Sequence, residues 1–306
     1  MVLFTRQLTS YLIVAPGKRI SVGSRGRGVT VATMSTSSDD HIKVVKVPSG
    51  LIAVYKPQDW SSSDVVGKVR NILRNGAKKK ANRQGKVKIK VGHGGTLDPL
   101  AEGVLVLGIG EGTKMLQSYL TGAKSYYAEA KLGSETDTLD STGSITSTED
   151  WSHVTIGDLD NALEHFRGNI SQVPPMYSAL KRDGKKLYDL ARKGIEVERE
   201  PRPVTIYELE RGQKDLDLPM FSLDVSCSGG TYIRTLCADI ARHINTRAHM
   251  TSLLRTKQGT FGLEDCVHIE NWDYEYLCSA VNPMVQEDLK AALTLEVLDP
   301  QDEEQE

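Results

Sequence analysis

The chain has 306 residues, 39% of them hydrophobic and 25% charged, enough for one large domain or two small ones with a buried core. No apolar run approaches the roughly 18 residues of a membrane-spanning helix, so no transmembrane segment and no membrane partner are expected. The formal net charge of −2 hides a segregation: no acidic residue lies between Val65 and Leu97, whereas Asp302, Glu303, Glu304 and Glu306 close the chain.

The first acidic residue is Asp39, and the segment before it carries Arg6, Lys18, Arg19, Arg25, Arg27 and many Ser and Thr. This acid-free start predicts an organellar, for instance mitochondrial, transit peptide or a disordered leader over 1–45. Initiation at Met34 would give a leaderless form for the cytoplasm or nucleus. Leu51 to Val54 predicts a short strand stopped at Lys56-Pro57. Ser61 to Asp64 offers N-cap residues for a helix carrying Val65, Val66, Val69, Ile72 and Leu73.

From Asn75 to Lys90, Gly76 and Gly85 interrupt that pattern, and an exposed basic insertion is expected there. With Lys68, Arg70 and Arg74 it forms the acid-free stretch, fit either to contact phosphates or to lie solvated. Lys78-Lys79-Lys80 also fits a nuclear-localisation signal.

Val104 to Leu107 and Tyr126 to Leu132 predict strands, and Leu159, Leu163 and Phe166 a short helix. Pro174-Pro175 marks a boundary. Val204 to Leu209 and Phe221 to Cys227 predict two more strands. Ile233, Leu236, Cys237, Ile240 and Ile244 share one helical face. The expected class is α+β, with a mixed, mostly antiparallel central sheet and flanking helices. Cys227, Cys237, Cys266 and Cys278 form no Cys-x-x-Cys pair and no zinc-type spacing, so no metal site is expected.

The densest constellation is Gly92-His93-Gly94-Gly95-Thr96-Leu97-Asp98-Pro99-Leu100-Ala101-Glu102-Gly103. Its glycines let backbone turn tightly and approach a ligand. A carboxylate held there at the start of a strand suits a nucleophile or base; an Asp before Pro is also an ordinary turn residue. Gly108-Ile109-Gly110-Glu111-Gly112-Thr113-Lys114 fails the phosphate-loop pattern, because Thr113 rather than Gly precedes Lys114 and Met115 follows. It predicts a strand-to-helix turn.

Taken together these residues resemble the TruB-type pseudouridine synthases. Val91 to Leu107 resembles that family's catalytic motif, and Gly50 to Pro57 with Ser61-Ser62 its first motif. Lys124-Ser125-Tyr126, with Leu132-Gly133 and Thr136-Asp137-Thr138, resembles its tyrosine segment. Gln172 to Lys181 with Gly184 to Tyr188 resembles its RNA-clasping insertion, expected over about 170–203. Cys227 to Thr235 resembles its arginine motif.

The resemblance implies catalytic roles for Asp98, Tyr126 and Arg234, with Arg234 paired to Asp98 and Tyr126 stacking on a flipped uracil. It implies RNA- or uracil-binding roles for His93, Tyr232 and Leu253. It implies isomerisation of a tRNA T-loop uridine without cofactor, with the tRNA T-arm, or another hairpin like it, as partner; no coiled-coil pattern is present, and a monomer is expected. Alternatives are a guide-dependent or mRNA-directed synthase, or a non-catalytic tRNA chaperone. The likeness covers about residues 50–265. The catalytic domain is therefore expected over 46–265, and 266–306 as an extension without a complete RNA-binding PUA domain.

Overall fold

The computed structural model describes residues 10–11, 46–81, 87–182, 184–214 and 216–283. The predicted leader except Ser10 and Tyr11, part of the basic stretch and the acidic tail lie outside the described residues.

β1 (Gly50–Lys56) opens the fold, sending Ile52 and Val54 to one face and Leu51 and Ala53 to the other. α1 (Ser62–Ala81) begins at a reciprocal cap. The Asp64 carboxylate accepts from the Ser61 amide (2.9 Å), and Ser61 Oγ accepts from the Asp64 amide (3.1 Å). The remaining elements are β2 (Val91–His93), β3 (Glu102–Ile109), α2 (Leu116–Thr121), β4 (Lys124–Leu132), β5 (Ser134–Thr136), β6 (Ile145–Thr148), α3 (Ile156–His165), β7 (Gly168–Gln172), β8 (Lys181–Arg182), β9 (Lys185–Lys186), α4 (Leu187–Ala191), β10 (Arg202–Arg211), β11 (Met220–Cys227), α5 (Ile233–His243), β12 (Ala248–Gln258), β13 (Phe261–Gly262), α6 (Tyr274–Ala280) and β14 (Asn282–Pro283).

One sheet runs in the order β14-β1-β3-β12-β4-β11-β10-β7, with β2 also on β3 and β13 on β12. Its pairings are antiparallel except β3 with β12, so the mixed, mostly antiparallel α+β class holds. In that parallel pair Arg255 stands opposite Gly103, which puts two core layers on the same side of the sheet. One packs α1 and α6 on β1 and β3; the other packs α3 and α5 on β4, β11 and β12. A smaller cluster of Leu51, Ala53, Val104 and Val106 with Leu116 and Tyr119 of α2 covers the opposite face.

Three expectations need correction. The helix predicted to break at Asn75 continues to Ala81, with Ala77 buried. Gly76 is a packing position rather than a stop, because a Cβ there would collide with the Tyr274 ring of α6. The chain past 265, expected as an extension, continues the core: Val267, Trp272, Tyr274, Leu277 and Val281 are buried, and β14 pairs with β1. Finally, β12 lies at the centre of the sheet, although its periodicity does not predict a strand. Register shifts at Met250/Ser252 and Arg255/Lys257 break the two-residue alternation that marks one.

Candidate active site

The segment joining β2 to β3 has no regular structure, yet its backbone is bound throughout. Gln258 Nε2 donates to Gly94 O (2.7 Å), and Arg255 donates to Gly95 O (3.3 Å) and Thr96 O (3.5 Å). Ser62 Oγ donates to Leu97 O (3.1 Å) while accepting from the Leu97 amide (2.8 Å). The Ala101 amide donates to Asp98 O (3.1 Å). Pro99 O accepts from the Asp59 amide (2.8 Å) and from Lys56 Nζ (3.3 Å). Every carbonyl from Gly94 to Pro99 thus has a donor, mostly from side chains of β1, α1 and β12. Unpaired buried carbonyls are costly, so this bonding fixes one loop conformation. Gly103 (φ 102°) lets β3 cross tightly against β12; a Cβ there would collide with the Arg255 carbonyl. Asp98 sits within this loop, ahead of β3 rather than at the strand's start as expected.

Arg234, in the first turn of α5, reaches the same place. Gly229 allows the approach, because a Cβ there would meet the Leu120 and Thr121 carbonyls at 2.5 and 2.6 Å. The buried guanidinium pairs with Asp98 Oδ2 through Nε (2.9 Å), and Asp140 Oδ2 lies 3.7 Å from the same nitrogen. Its other nitrogens donate to the Thr138 carbonyl and to Tyr177 O (2.8 Å). The carbonyl partners fix the guanidinium, which holds one oxygen of the Asp98 carboxylate. Asp98 Oδ1 carries no hydrogen bond among the described residues and remains free to act.

A cavity of about 470 Å³ opens beside Asp98, within the size range of small-ligand pockets. Five of the six predicted residues line it: Asp98, Tyr126, Tyr232, Arg234 and Leu253. Tyr126 lies on β4 opposite Arg255, and burial raises its phenol pKa, which keeps it protonated. Tyr232 caps α5, clamped by Gln172: Oε1 accepts from the Tyr232 amide (2.8 Å), and Nε2 donates to its carbonyl (3.1 Å). Burial raises the Tyr232 phenol as well. His93 is the exception. It lies on β2 opposite Leu107, half-buried and outside the lining. Burial, then the Arg255 charge, lowers its pKa and favours the neutral imidazole.

The structure adds cations that the sequence does not single out. Lys56 and Lys124 are buried, and burial lowers each ammonium to about 8. Neither makes an ion pair among the described residues. Lys56 holds Pro57 O and Pro99 O, and Lys124 holds Leu120 O (2.8 Å) and Gly122 O (2.6 Å). Lys124 and Arg255 line the cavity, whose wall carries one carboxylate, while Lys56 lies outside the lining and feels the Asp98 charge. Asp140, Ser62, Gln172 and Gln258 also escape a reading of the sequence. Their roles depend on partners in distant chain segments, which no local spacing reveals, even though Ser62 and Gln172 stand inside quoted motifs and Asp140 lies two residues past Thr138 of another.

Comparison with known proteins gives the family. Residues 78–233 match the family model for the N-terminal domain of the TruB family pseudouridylate synthases. The chain is 46% identical over 221 residues to human pseudouridylate synthase TRUB1, covering 71% of this chain and 63% of that protein. It is 44% identical over 229 residues to tRNA pseudouridine synthase B of Clostridium perfringens, covering 75% and 73%. The crystal structure of a Cbf5-Nop10-Gar1 complex aligns with a TM-score of 0.56 at 27% identity, over 78% of this chain and 60% of that one. The chain therefore belongs to the TruB family of pseudouridine synthases. It spans about 63% of the length of the human relative.

Proposed function

We propose that this protein is a tRNA pseudouridine synthase that isomerises a T-loop uridine. The observation that carries the reading is the Asp98–Arg234 pair at 2.9 Å, set in a fixed loop beside a cavity walled by Tyr126 and Leu253. The target nucleotide leaves the stack and enters the cavity, where Tyr126 offers an aromatic face to the uracil. The C1′–N1 bond breaks with the help of the Asp98 carboxylate, the retained uracil turns, and C5 bonds to C1′. The C5 proton is then lost and N1 is protonated, so atoms and electrons balance without redox change. Lys124 and Arg255 in the cavity wall favour negative charge on the departing uracil.

The tRNA reading draws support from relatives named tRNA pseudouridine synthase B at 44% identity, against 27% for Cbf5 in its complex with Nop10 and Gar1. The test is a bare tRNA transcript incubated with the purified protein and mapped for pseudouridine. One modified T-loop position without any guide RNA is expected; modification only with a guide, or none, contradicts the proposal. The proposal includes a monomeric enzyme directed to an organelle by residues 1–45, with a second pool starting at Met34. C-terminal tagging with Met34 ablated should remove the non-organellar pool; an unchanged distribution argues against it.

A further inference from the structure

α1 carries a charge pattern that the pocket chemistry does not use. Its inner face is Val65, Val66, Val69, Leu73 and Ala77, all buried. Its outer face presents Lys68, Asn71, Arg74, Asn75, Lys78 and Lys79 at three- and four-residue spacing. After Asp64 the helix has no acidic residue. Lys68, Lys78 and Lys79 make no ion pair or hydrogen bond among the described residues, and Arg74 donates only to Asn71 (2.8 Å). Lys80, on the inner side, contrasts with them: it pairs with Glu275 (3.4 Å) and lies over the Tyr274 ring (4.9 Å). Among the described residues the outer cations thus have no counter-charge, in a chain of net charge −2.

This face also has a fixed place relative to the chemistry. Ser62, in the first turn, is bonded to Leu97, the neighbour of Asp98. At about 1.5 Å per residue, Lys68 lies about 9 Å and Lys79 about 26 Å along the axis from that bond. The charged track between Lys68 and Lys79 is thus about 17 Å long and begins about 9 Å from the loop that carries Asp98.

We propose that the outer face of α1 binds the sugar-phosphate backbone of a double-helical RNA stem whose loop nucleotide occupies the Asp98 cavity. The inference rests on the RNA-modifying reading of that cavity. Lysines here act as point charges on phosphates, so they position the stem without reading its sequence. The enzyme then favours T-loops carried on a long stem over the same loop on a short hairpin.

The experiment compares the wild type with a variant carrying Lys68→Gln, Arg74→Gln, Lys78→Gln and Lys79→Gln. The two RNAs share one T-loop, on a short stem and on a stem about twice as long. Dissociation constants are measured over a series of salt concentrations, and turnover with each RNA at saturation. The wild type should bind the long stem at least tenfold more tightly, and the variant should lose that advantage while keeping its affinity and turnover for the short one. The salt slope on the long stem should flatten by roughly 0.7–0.9 for each phosphate that the variant no longer neutralises. Equal affinity of the wild type for both stems, or an unchanged variant, overturns the track. If the variant fails to fold, the wild-type stem comparison and its salt slopes decide alone. A wild type that converts neither RNA yet loses long-stem affinity on substitution refutes the isomerase reading and leaves the track standing.

Discussion

The loop that carries Asp98 and the insertion over about 170–203, read from the sequence as an RNA clasp, meet at the same cavity and are built in opposite ways. In the loop, every carbonyl from Gly94 to Pro99 is held by a donor. The insertion touches the body at few points: Gln172 clamps the Tyr232 backbone, Tyr177 O accepts from Arg234 (2.8 Å), and the Tyr177 hydroxyl donates to Asp137 Oδ2 (3.4 Å), whereas Arg199 bonds Pro174 O within the insertion itself. Its tip residues Lys181, Arg182, Lys185 and Lys186 are exposed. Chemistry that places a carboxylate at one sugar carbon needs fixed geometry, whereas holding a polyanion needs charge and reach. Arg234 joins the two segments, since one guanidinium holds both Asp98 and Tyr177.

Breaking that joint should have the largest effect. Arg234→Gln leaves Asp98 unpaired and frees Tyr177 O and the Thr138 carbonyl. The Asp98 side chain is 33% exposed, so the stability cost should fall below the about 3–5 kcal/mol of a fully buried pair, and loss of orientation should slow single-turnover isomerisation on the order of 10³-fold. Rapid-quench kinetics and thermal melting check both; Arg234→Lys should recover little, because an ammonium lacks the fork. Ser62→Ala tests the loop alone. It leaves the Leu97 amide and carbonyl without partners, at about 1–3 kcal/mol, and turnover should fall roughly tenfold while RNA affinity stays. An unaltered rate would mean the loop does not need this brace.

The pH dependence separates charge from stability. Lys56 and Lys124 are lowered from 10.5 to about 8 in the folded protein. Between about 8 and 10.5 the unfolded chain holds more protons at these two lysines, so their contribution to stability grows as pH rises through that window. Activity should decline over the same range as the cavity loses positive charge. A rate that stays flat to the top of that window contradicts a role for these cations. The smallest effect is expected at the clasp tip: Lys181, Arg182, Lys185 and Lys186 all changed to Ala should weaken binding several-fold and flatten its salt dependence, with turnover at saturation unchanged.

Much of the site is legible in the sequence because contiguous motifs carry it. Asp98, Tyr126, Tyr232, Arg234 and Leu253 converge on one cavity, although Leu253 sits on a strand that the periodicity does not reveal. What stays hidden acts at long range. Gln258 and Arg255 bond a loop some 160 residues earlier, and the buried lysines gain their meaning from desolvation, which composition cannot report. Gly76 misleads in a local way: a residue that ends many helices here makes room for the Tyr274 ring.

The most direct test of the account is tritium release from C5-labelled uridine in a T-arm transcript, comparing the wild type with Asp98→Asn at matched RNA binding. The account predicts release by the wild type and none by the variant, with equal affinity for the RNA. Release by Asp98→Asn at the wild-type rate, or none by either protein despite tight binding, would contradict it.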